Sequence, residues 1–298
     1  MNNRYGLRIA DNIFEFVECE LKARFRKKQV KDYLFAHAND SEYKEIVDYL
    51  SKNSLAVFPY KYKSEYSLKN ITAAKDDLCG MIYIPYNNNK IYMKRKYKSY
   101  YRAKYYFNNI LIEQDPRSPH RYTTDDFQPN KNSIIIDIGG AEGFFPLEYI
   151  DSAKAVYIFE CDPGWNEALL KTYDQYSDKI QVINKFVSDH DDDTNICLDT
   201  FINEYNLFDD DIFIKIDAEG SEPYIIDGAR NMLQKTQKVK LAVCCYHSSD
   251  HENVISSKFD NNWTITHSNG YMLYYSDYDF YNEPYVRRGV LRIERTAS

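Results

Sequence analysis

Four apolar runs of this chain end in residues able to do chemistry. Ile134-Ile-Ile leads to Asp137 and then to the turn Gly139-Gly140-Ala-Glu142-Gly143, which holds three of the chain's ten glycines. Val156-Tyr-Ile-Phe leads to Glu160, Phe213-Ile-Lys-Ile to Asp217, and Leu241-Ala-Val-Cys-Cys-Tyr to His247. Such runs read as buried strands of an open α/β sheet, where ligands bind beyond the carboxyl ends. Glycines at the first of these ends remove Cβ atoms and permit positive φ, so backbone amides can come close to a ligand. A helix starting near Gly143 adds a favourable potential for an anionic group.

The spacing Asp137-x-Gly139-x-x-x-Gly143 is not the G-x-G-x-x-G of a pyrophosphate-binding turn. Glu160 lies roughly 20 residues past the glycines, where an acid can hydrogen-bond both ribose hydroxyls of a nucleoside. A glycine turn with a ribose acid and no dinucleotide fingerprint suggests a mononucleoside cofactor, and S-adenosylmethionine fits. The alternative is an ordinary strand–helix turn followed by an exposed Glu. Asp189, in the loop after the third strand, would border the same pocket.

Asp217 opens a block with two further acids, Glu219 and Glu222. A charge closing a buried strand needs a reason. Glu222 serves either the site or the dipole of the helix it begins. His247 would emerge at the same sheet edge, and histidine suits proton transfer near neutral pH. The pair suggests His247 as general base, with Asp217 orienting it or the acceptor. Alternatively, Asp217 and nearby carboxylates hold a divalent metal, Mg²⁺ or Mn²⁺.

These residues need a scaffold, and the pattern supplies one. Strands at 133–138, 155–159, 180–184, 212–216 and 239–245 alternate with helices at 144–150, 165–173, 200–205 and 222–233, and the tail adds strands near 263–266 and 290–293. This implies a mostly parallel sheet with helices on both faces. Upstream, helical spacing runs from about Asp11 to Ala38, and a second helix starts at the N-cap candidates Asp40 or Ser41 and ends near Ser51. A strand fits 81–85. The stretch 115–122, with two prolines, is a linker or an ordered loop.

The 298 residues carry 45 acidic and 38 basic side chains, a net charge of −7. That argues against a surface that grips nucleic acid throughout. The first residues lack the apolar core of a signal peptide, no run is long enough to span a membrane, and the six cysteines contain no CxxC pair. These features fit reduced thiols and a cytoplasmic protein, with peripheral attachment to the inner membrane face left open.

Three other features compete. The basic, tyrosine-rich stretch 90–104 reads first as a helix with a packed tyrosine face, then as an acceptor-binding or nucleic-acid stripe. The run Asp189–Asp193 reads as a solvated acidic loop. His247 and His251 lack the helix that would align a zinc pair.

Taken together, the phrases IIIDIGGAEGFFPLEYI, VYIFECDPGW, LDTF, IKIDAEGSEPYIIDGA and CCYH resemble the FkbM-type family of S-adenosylmethionine-dependent methyltransferases. SPHRY before them and RRGVLRI after them extend the resemblance over about Ser118 to Arg292. It implies a class I methyltransferase fold in 118–298, with a mostly parallel seven-stranded sheet. A mainly helical region, 1–117, precedes it and could bind the acceptor. Asp137, Gly139, Gly140, Glu142, Gly143 and Glu160 match the cofactor loop and ribose acid. Asp217, Glu219 and Glu222 match the D-x-E-G-x-E block, and His247 the histidine of a tyrosine–histidine pair. Glu142 stands where many members have Asn, and Cys161-Asp162 separates Glu160 from Pro163. The implied reaction is O-methylation of a sugar hydroxyl in a glycan, glycolipid or nucleotide-linked sugar. A catalytically inactive scaffold and a nucleic-acid methyltransferase are the alternatives.

Overall fold

The computed structural model describes residues 13–274 and 283–296, with side chains from residue 25 onward. The start of the first helical pattern, at Asp11, and the residues read for a leader fall largely outside the described residues. The chain opens with α1 (Ile13–Ala36) and α2 (Lys44–Leu50). Asp40 and Ser41 do not cap α2. Asp40 accepts the Glu42 amide in the preceding turn, and the capping position is Tyr43, which makes no side-chain cap.

An antiparallel sheet of β1 (Ala74–Lys75), β2 (Ile82–Tyr86) and β3 (Asn89–Tyr92) follows. Asn87 and Asn88, both at positive φ, close the β2–β3 hairpin, as a tight two-residue turn requires. Helix α3 (Tyr100–Glu113) then starts at Ser99, whose hydroxyl accepts the Arg102 amide. The stretch read as one tyrosine-faced helix is therefore a strand, a link that turns at residues 94–97, and a helix. Its mixed tyrosine pattern serves two periodicities, 2 and 3.6, in turn.

From residue 134 the alternation emerges as expected. It runs through β4 (Ile134–Ile138), α4 (Phe144–Leu147), β5 (Ala155–Phe159), α5 (Pro163–Thr172) and β6 (Ile180–Ile183). A small parallel pair, β7 (Phe186–Ser188) and β8 (Asn195–Cys197), leads to α6 (Leu198–Glu204) and β9 (Ile212–Ile216). The helix read at 222–233 is two, α7 (Glu222–Asp227) and α8 (Arg230–Lys235). They divide at Gly228, where a Cβ would stand 2.0 Å from the Ser188 carbonyl oxygen, and Asp199 accepts the Asn231 and Met232 amides at the start of α8. The chain ends with β10 (Val239–Cys244), α9 (His251–Ser256), β11 (Trp263–His267), β12 (Met272–Leu273), β13 (Val286–Arg287) and β14 (Val290–Arg295).

The seven-stranded sheet has the order β6-β5-β4-β9-β10-β14-β11. β6, β5, β4, β9 and β10 are parallel, and β14 runs antiparallel between β10 and β11. This is the class I methyltransferase fold, Rossmann-like and mostly parallel. Chain order reverses between β4 and β9, the topological switch point at which open sheets bind ligands.

The sheet separates two apolar clusters. Ile134, Ile136, Ile138, Ile214 and Ile216 pack under α6, α7 and α8. Ile135, Phe213, Ala242 and Cys244 face the other way, into a cluster shared with the N-terminal helices and the small sheet. Strand alternation then puts Asp137, Lys215 and Asp217 on the N-terminal side as well, so residues 1–117 cover the face that carries the charges.

The segment 118–122 is held against β14. The Cys245 amide donates to the Gly289 carbonyl, and a Cβ at Gly289 would lie 1.9 Å from the Pro119 carbonyl oxygen. Gly289→Ala should therefore cost about 1–3 kcal/mol by overpacking, read as a lower urea midpoint with unchanged slope. A midpoint equal to wild type would mean that the segment is not held this closely.

Candidate active site

The glycine turn answers first to chain packing. A Cβ at Gly139 would stand 2.0 Å from the Asp217 carbonyl oxygen, and one at Gly140 would stand 2.2 Å from Ile158 Cγ2. Gly143 has φ +76 and lies against Leu169 and Tyr173. The turn's amides are also engaged: those of Gly139 and Gly140 donate to the Phe159 carbonyl at 2.9 and 3.2 Å, and that of Gly143 donates to the Gly140 carbonyl. The close approach is thus among β4, β5 and β9, and it holds the turn at the mouth of a cleft.

Glu160 fixes the turn from the next strand. Its Oε2 accepts the Ala141 amide at 2.7 Å and its Oε1 the Asp162 amide at 2.7 Å. Burial pushes its pKa up, and the two amides pull against that. A carboxylate has about four acceptor sites, so each oxygen can still take a hydroxyl.

The cleft is lined on one side by the turn, Asp137 and Lys215, and on the other by Ile110, Glu113 and Gln114 from the end of α3. Tyr106 of α3 donates to Glu142 at 2.5 Å, and Tyr97 and Tyr106 pack on Trp165 at centroid distances of 6.2 and 5.7 Å. The N-terminal part therefore forms one wall of the cleft.

Asp137 and Lys215 form a buried pair at the cleft floor, 3.0 Å apart with side chains 1% and 4% exposed. The ammonium aligns its hydrogen bonds on the carbonyls of Ile138 and Gly139. Burial raises the Asp137 pKa against the pull of Lys215. Burial works against the Lys215 charge, but Asp137 and Asp217 outweigh it and hold that pKa above its usual value. Lys215 carried no signal of function in the sequence beyond its placement inside an apolar run.

Asp217 is 3% exposed, and both its oxygens are occupied. Oδ2 accepts from the Tyr122 hydroxyl at 2.9 Å and Oδ1 from the Tyr246 hydroxyl at 3.1 Å. Two imidazoles flank it: His120 Nε2 lies 3.8 Å from Oδ2 and His247 Nε2 lies 3.6 Å from Oδ1. Tyr122 and His120 were legible only as part of the phrase SPHRY, because nothing local ties them to a carboxylate 95 residues on.

His247 sits in a nest of acids. Its Nε2 is 3.6 Å from Asp217 and 3.7 Å from Glu219, and its Nδ1 is 2.9 Å from Glu222 Oε1. Glu222 is fully buried, and the same Oε1 accepts the Ala218 amide at 2.8 Å. Glu222 therefore binds the strand-end turn and faces the histidine, which goes beyond favouring a helix dipole. Burial pulls the His247 pKa down, but Glu222, then Asp217 and Glu219, outweigh it and raise it. His251 Nδ1 is 3.6 Å from Glu222 Oε2, and burial lowers its pKa.

Asp189 is exposed and lies 2.8 Å from His190 Nδ1; like Glu160, it is not among the residues lining the cleft. Asp191 and Asp192 accept nearby amides and shape the turn between β7 and β8. In the basic stretch, Lys90 pairs with Asp76, Lys94 with Asp162 and Arg95 with Glu167. Those charges are balanced internally.

No family model matches the chain, and no curated protein matches it. Among solved structures it is similar to the methyltransferase FkbM from Methylobacillus flagellatus KT, with 19% identity and a TM-score of 0.44, over 64% of this chain and 54% of that one. It thus spans about half the length of that protein. It is also similar to SMU.1697c from Streptococcus mutans, solved in complex with SAH, with 16% identity and a TM-score of 0.37 over 64% of this chain and 97% of that one. An rRNA methylase from Streptococcus thermophilus aligns with 12% identity and a TM-score of 0.35 over 56% of this chain and 89% of that one.

The Asp137–Lys215 pair makes a direct prediction. Lys215→Met strands a buried carboxylate and should cost about 3–5 kcal/mol of unfolding free energy. Adding Asp137→Leu should recover most of it. A double-variant loss equal to the sum of the losses of the two single variants would show that the two groups are not coupled.

Proposed function

We propose that this protein transfers a methyl group from S-adenosylmethionine to a hydroxyl of a sugar-containing acceptor: a glycan, glycolipid or nucleotide-linked sugar. The observation that carries the reading is the convergence of the ends of β4, β5, β9 and β10. They bring a nucleoside-type acid, Glu160, and a proton-accepting cluster, Asp217 and His247, to one edge of the sheet on either side of the glycine turn. The sugar acceptor rests on the family resemblance.

The residues present fit the cofactor. Glu160 retains acceptor capacity on both oxygens for ribose hydroxyls, beside the turn it fixes. Asp137, Gly139, Gly140 and Glu142 line the narrow cleft beside the turn, Gly143 shapes the turn, and Asp189 stays in the proposed set as an exposed residue of the loop after β7. When bound, S-adenosylmethionine supplies a methyl group already activated as a sulfonium. The protein must align the acceptor and remove its proton.

In this reading His247 receives that proton, Glu222 orients its ring, and Asp217 is held by two tyrosine hydroxyls so that its charge faces the imidazole. The division at residue 117 is part of the same proposal: residues 118–298 hold the cofactor, and residues 1–117 wall the cleft on the acceptor side. Among the described residues no helix is long and apolar enough to cross a membrane.

Calorimetric titration of S-adenosylhomocysteine tests the cofactor assignment. Wild type should bind, and Glu160→Ala should lose at least about 1.5–3 kcal/mol, the usual worth of hydrogen bonds to a charged group. The Glu160 pKa is raised, so its charge is present above that raised value and is lost as pH falls through it. Affinity should therefore begin to drop on acidification before an ordinary glutamate would protonate. No binding to wild type at neutral pH would sink the reading. With a methyl acceptor in hand, His247→Ala should lose most turnover, about 10²–10⁴-fold, while still binding S-adenosylhomocysteine. Turnover at the wild-type rate would remove His247 from the chemistry.

A further inference from the structure

The acid nest around His247 carries an imbalance that its hydrogen bonds do not resolve. Eleven buried side-chain polar atoms find no hydrogen-bond partner among the described residues, and four of them gather here: both ring nitrogens of His247, Glu222 Oε2 and His251 Nδ1. The His247 side chain is 8% exposed. Its neighbours are close enough for ion pairing, but only Glu222 Oε1, 2.9 Å from Nδ1, is within hydrogen-bond reach, and Nε2 has no such partner. Orphaned polar atoms at this depth normally cost about 1–3 kcal/mol each. Concentrated in one cluster, they point to a missing group.

We infer that His247, Asp217 and Glu219 form a binding site for a divalent first-row metal ion, with Glu222 orienting the histidine from behind. Three observations carry this. First, His247 Nε2 lies 3.6 Å from Asp217 Oδ1 and 3.7 Å from Glu219 Oε2. Those separations are too long for hydrogen bonds. They are close to the roughly 3.4 Å expected between donors that each stand about 2.1 Å from a tetrahedral ion.

Second, the other ring nitrogen faces Glu222 Oε1 at 2.9 Å, and that oxygen is anchored by the Ala218 amide. A metal-bound histidine typically gives its second N–H to such a carboxylate, which sets the tautomer and leaves the opposite nitrogen for the ion. Third, three carboxylates surround one imidazole, and a single proton on that ring cannot balance them. A divalent charge can. Asp217 and His247 belong to a compact donor set with Glu222, each bringing a donor atom within 4.8 Å of the others, and the exposed Glu219 joins it only through its 3.7 Å approach to His247 Nε2.

One imidazole and two carboxylates suit Mn²⁺ or Zn²⁺ better than a soft ion. Glu219 is 66% exposed, so the nest has an open side through which an ion and an acceptor oxygen can enter. The site deepens the methyl-transfer reading and rests on it for the ion's purpose. A divalent charge beside the acceptor oxygen favours loss of the hydroxyl proton, which can leave to the solvent bordering Glu219. With the ion bound, His247 is a ligand and no longer the proton acceptor. Whether the ion binds does not depend on that reading.

The test is titration of chelator-stripped protein with Zn²⁺ and, separately, Mn²⁺, followed by calorimetry. Co²⁺ absorption serves as a second readout of coordination. Wild type should bind one equivalent of at least one ion. His247→Ala should abolish that binding, and Glu222→Gln should weaken it about 10–100-fold, as losing a histidine-orienting carboxylate does. Glu219→Gln should weaken it at least about 10-fold, and it alters an exposed residue whose loss leaves folding intact. Cys244→Ala should bind like wild type. It guards against the other compact donor set, His120, Asp217 and Cys244.

No binding to wild type overturns the inference. So does binding that survives both His247→Ala and Glu219→Gln, which would trace to surface acids, or binding that Cys244→Ala removes. Titration of S-adenosylhomocysteine into the same stripped protein reports the cofactor proposal separately.

Discussion

Asp217 is the group around which the rest of this structure is arranged. A carboxylate at 3% exposure is costly unless its charge is met. Here it is met by the hydroxyls of Tyr122 and Tyr246, with His120 and His247 on its flanks. Those partners come from two places: the segment before β4 (His120 and Tyr122) and the residues just after β10 (Tyr246 and His247). Satisfying one charge therefore ties the 118–122 segment to the two central strands. Arg292 of β14 reinforces the tie by donating to the carbonyls of Arg121 and Tyr122.

The same face of the sheet carries a chain of alternating charge. Asp137 pairs with Lys215, Lys215 is raised in pKa by both Asp137 and Asp217, and Asp217 faces His247, which in turn faces Glu222. The N-terminal helices and small sheet cover this face, so the charges interact in a low dielectric and each depends strongly on its neighbour. That cover also narrows the cleft. Ile110, Glu113 and Gln114 form its far wall, and Tyr106 reaches across to Glu142. The region whose pattern was hardest to read thus has a direct part in shaping the site.

Legibility followed the range of the interactions. The strands at 134–138, 155–159 and 212–216 were readable almost to the residue, because burial on both faces demands unbroken apolar runs. The helix at 222–233 was read as one element because its apolar spacing continues through Gly228. Its division falls where Gly228 meets the Ser188 carbonyl at the end of β7. The α2 cap failed for a related reason: Asp40 and Ser41 are good capping residues, but the local turn took Asp40 first. Within the site, Asp137, Glu160, Asp217 and His247 stood out as polar ends of apolar strands. Tyr122, His120 and Lys215 did not, since their partners lie far along the chain or, for Lys215, across the sheet.

What the sequence determined by itself is the sheet's central strands, the acids and histidine at their ends, and a glycine turn that brings backbone close to backbone. Alternation and apolar run length are local properties, written into consecutive residues. Only the tertiary structure decided what the turn approaches. It is the Asp217 carbonyl and Ile158, before any ligand. Only the tertiary structure turned Glu222 toward His247, set β14 antiparallel between β10 and β11, and put Asp189 beside His190 on an exposed turn. These outcomes depend on strand order and on packing between segments well separated along the chain, and no local pattern encodes either.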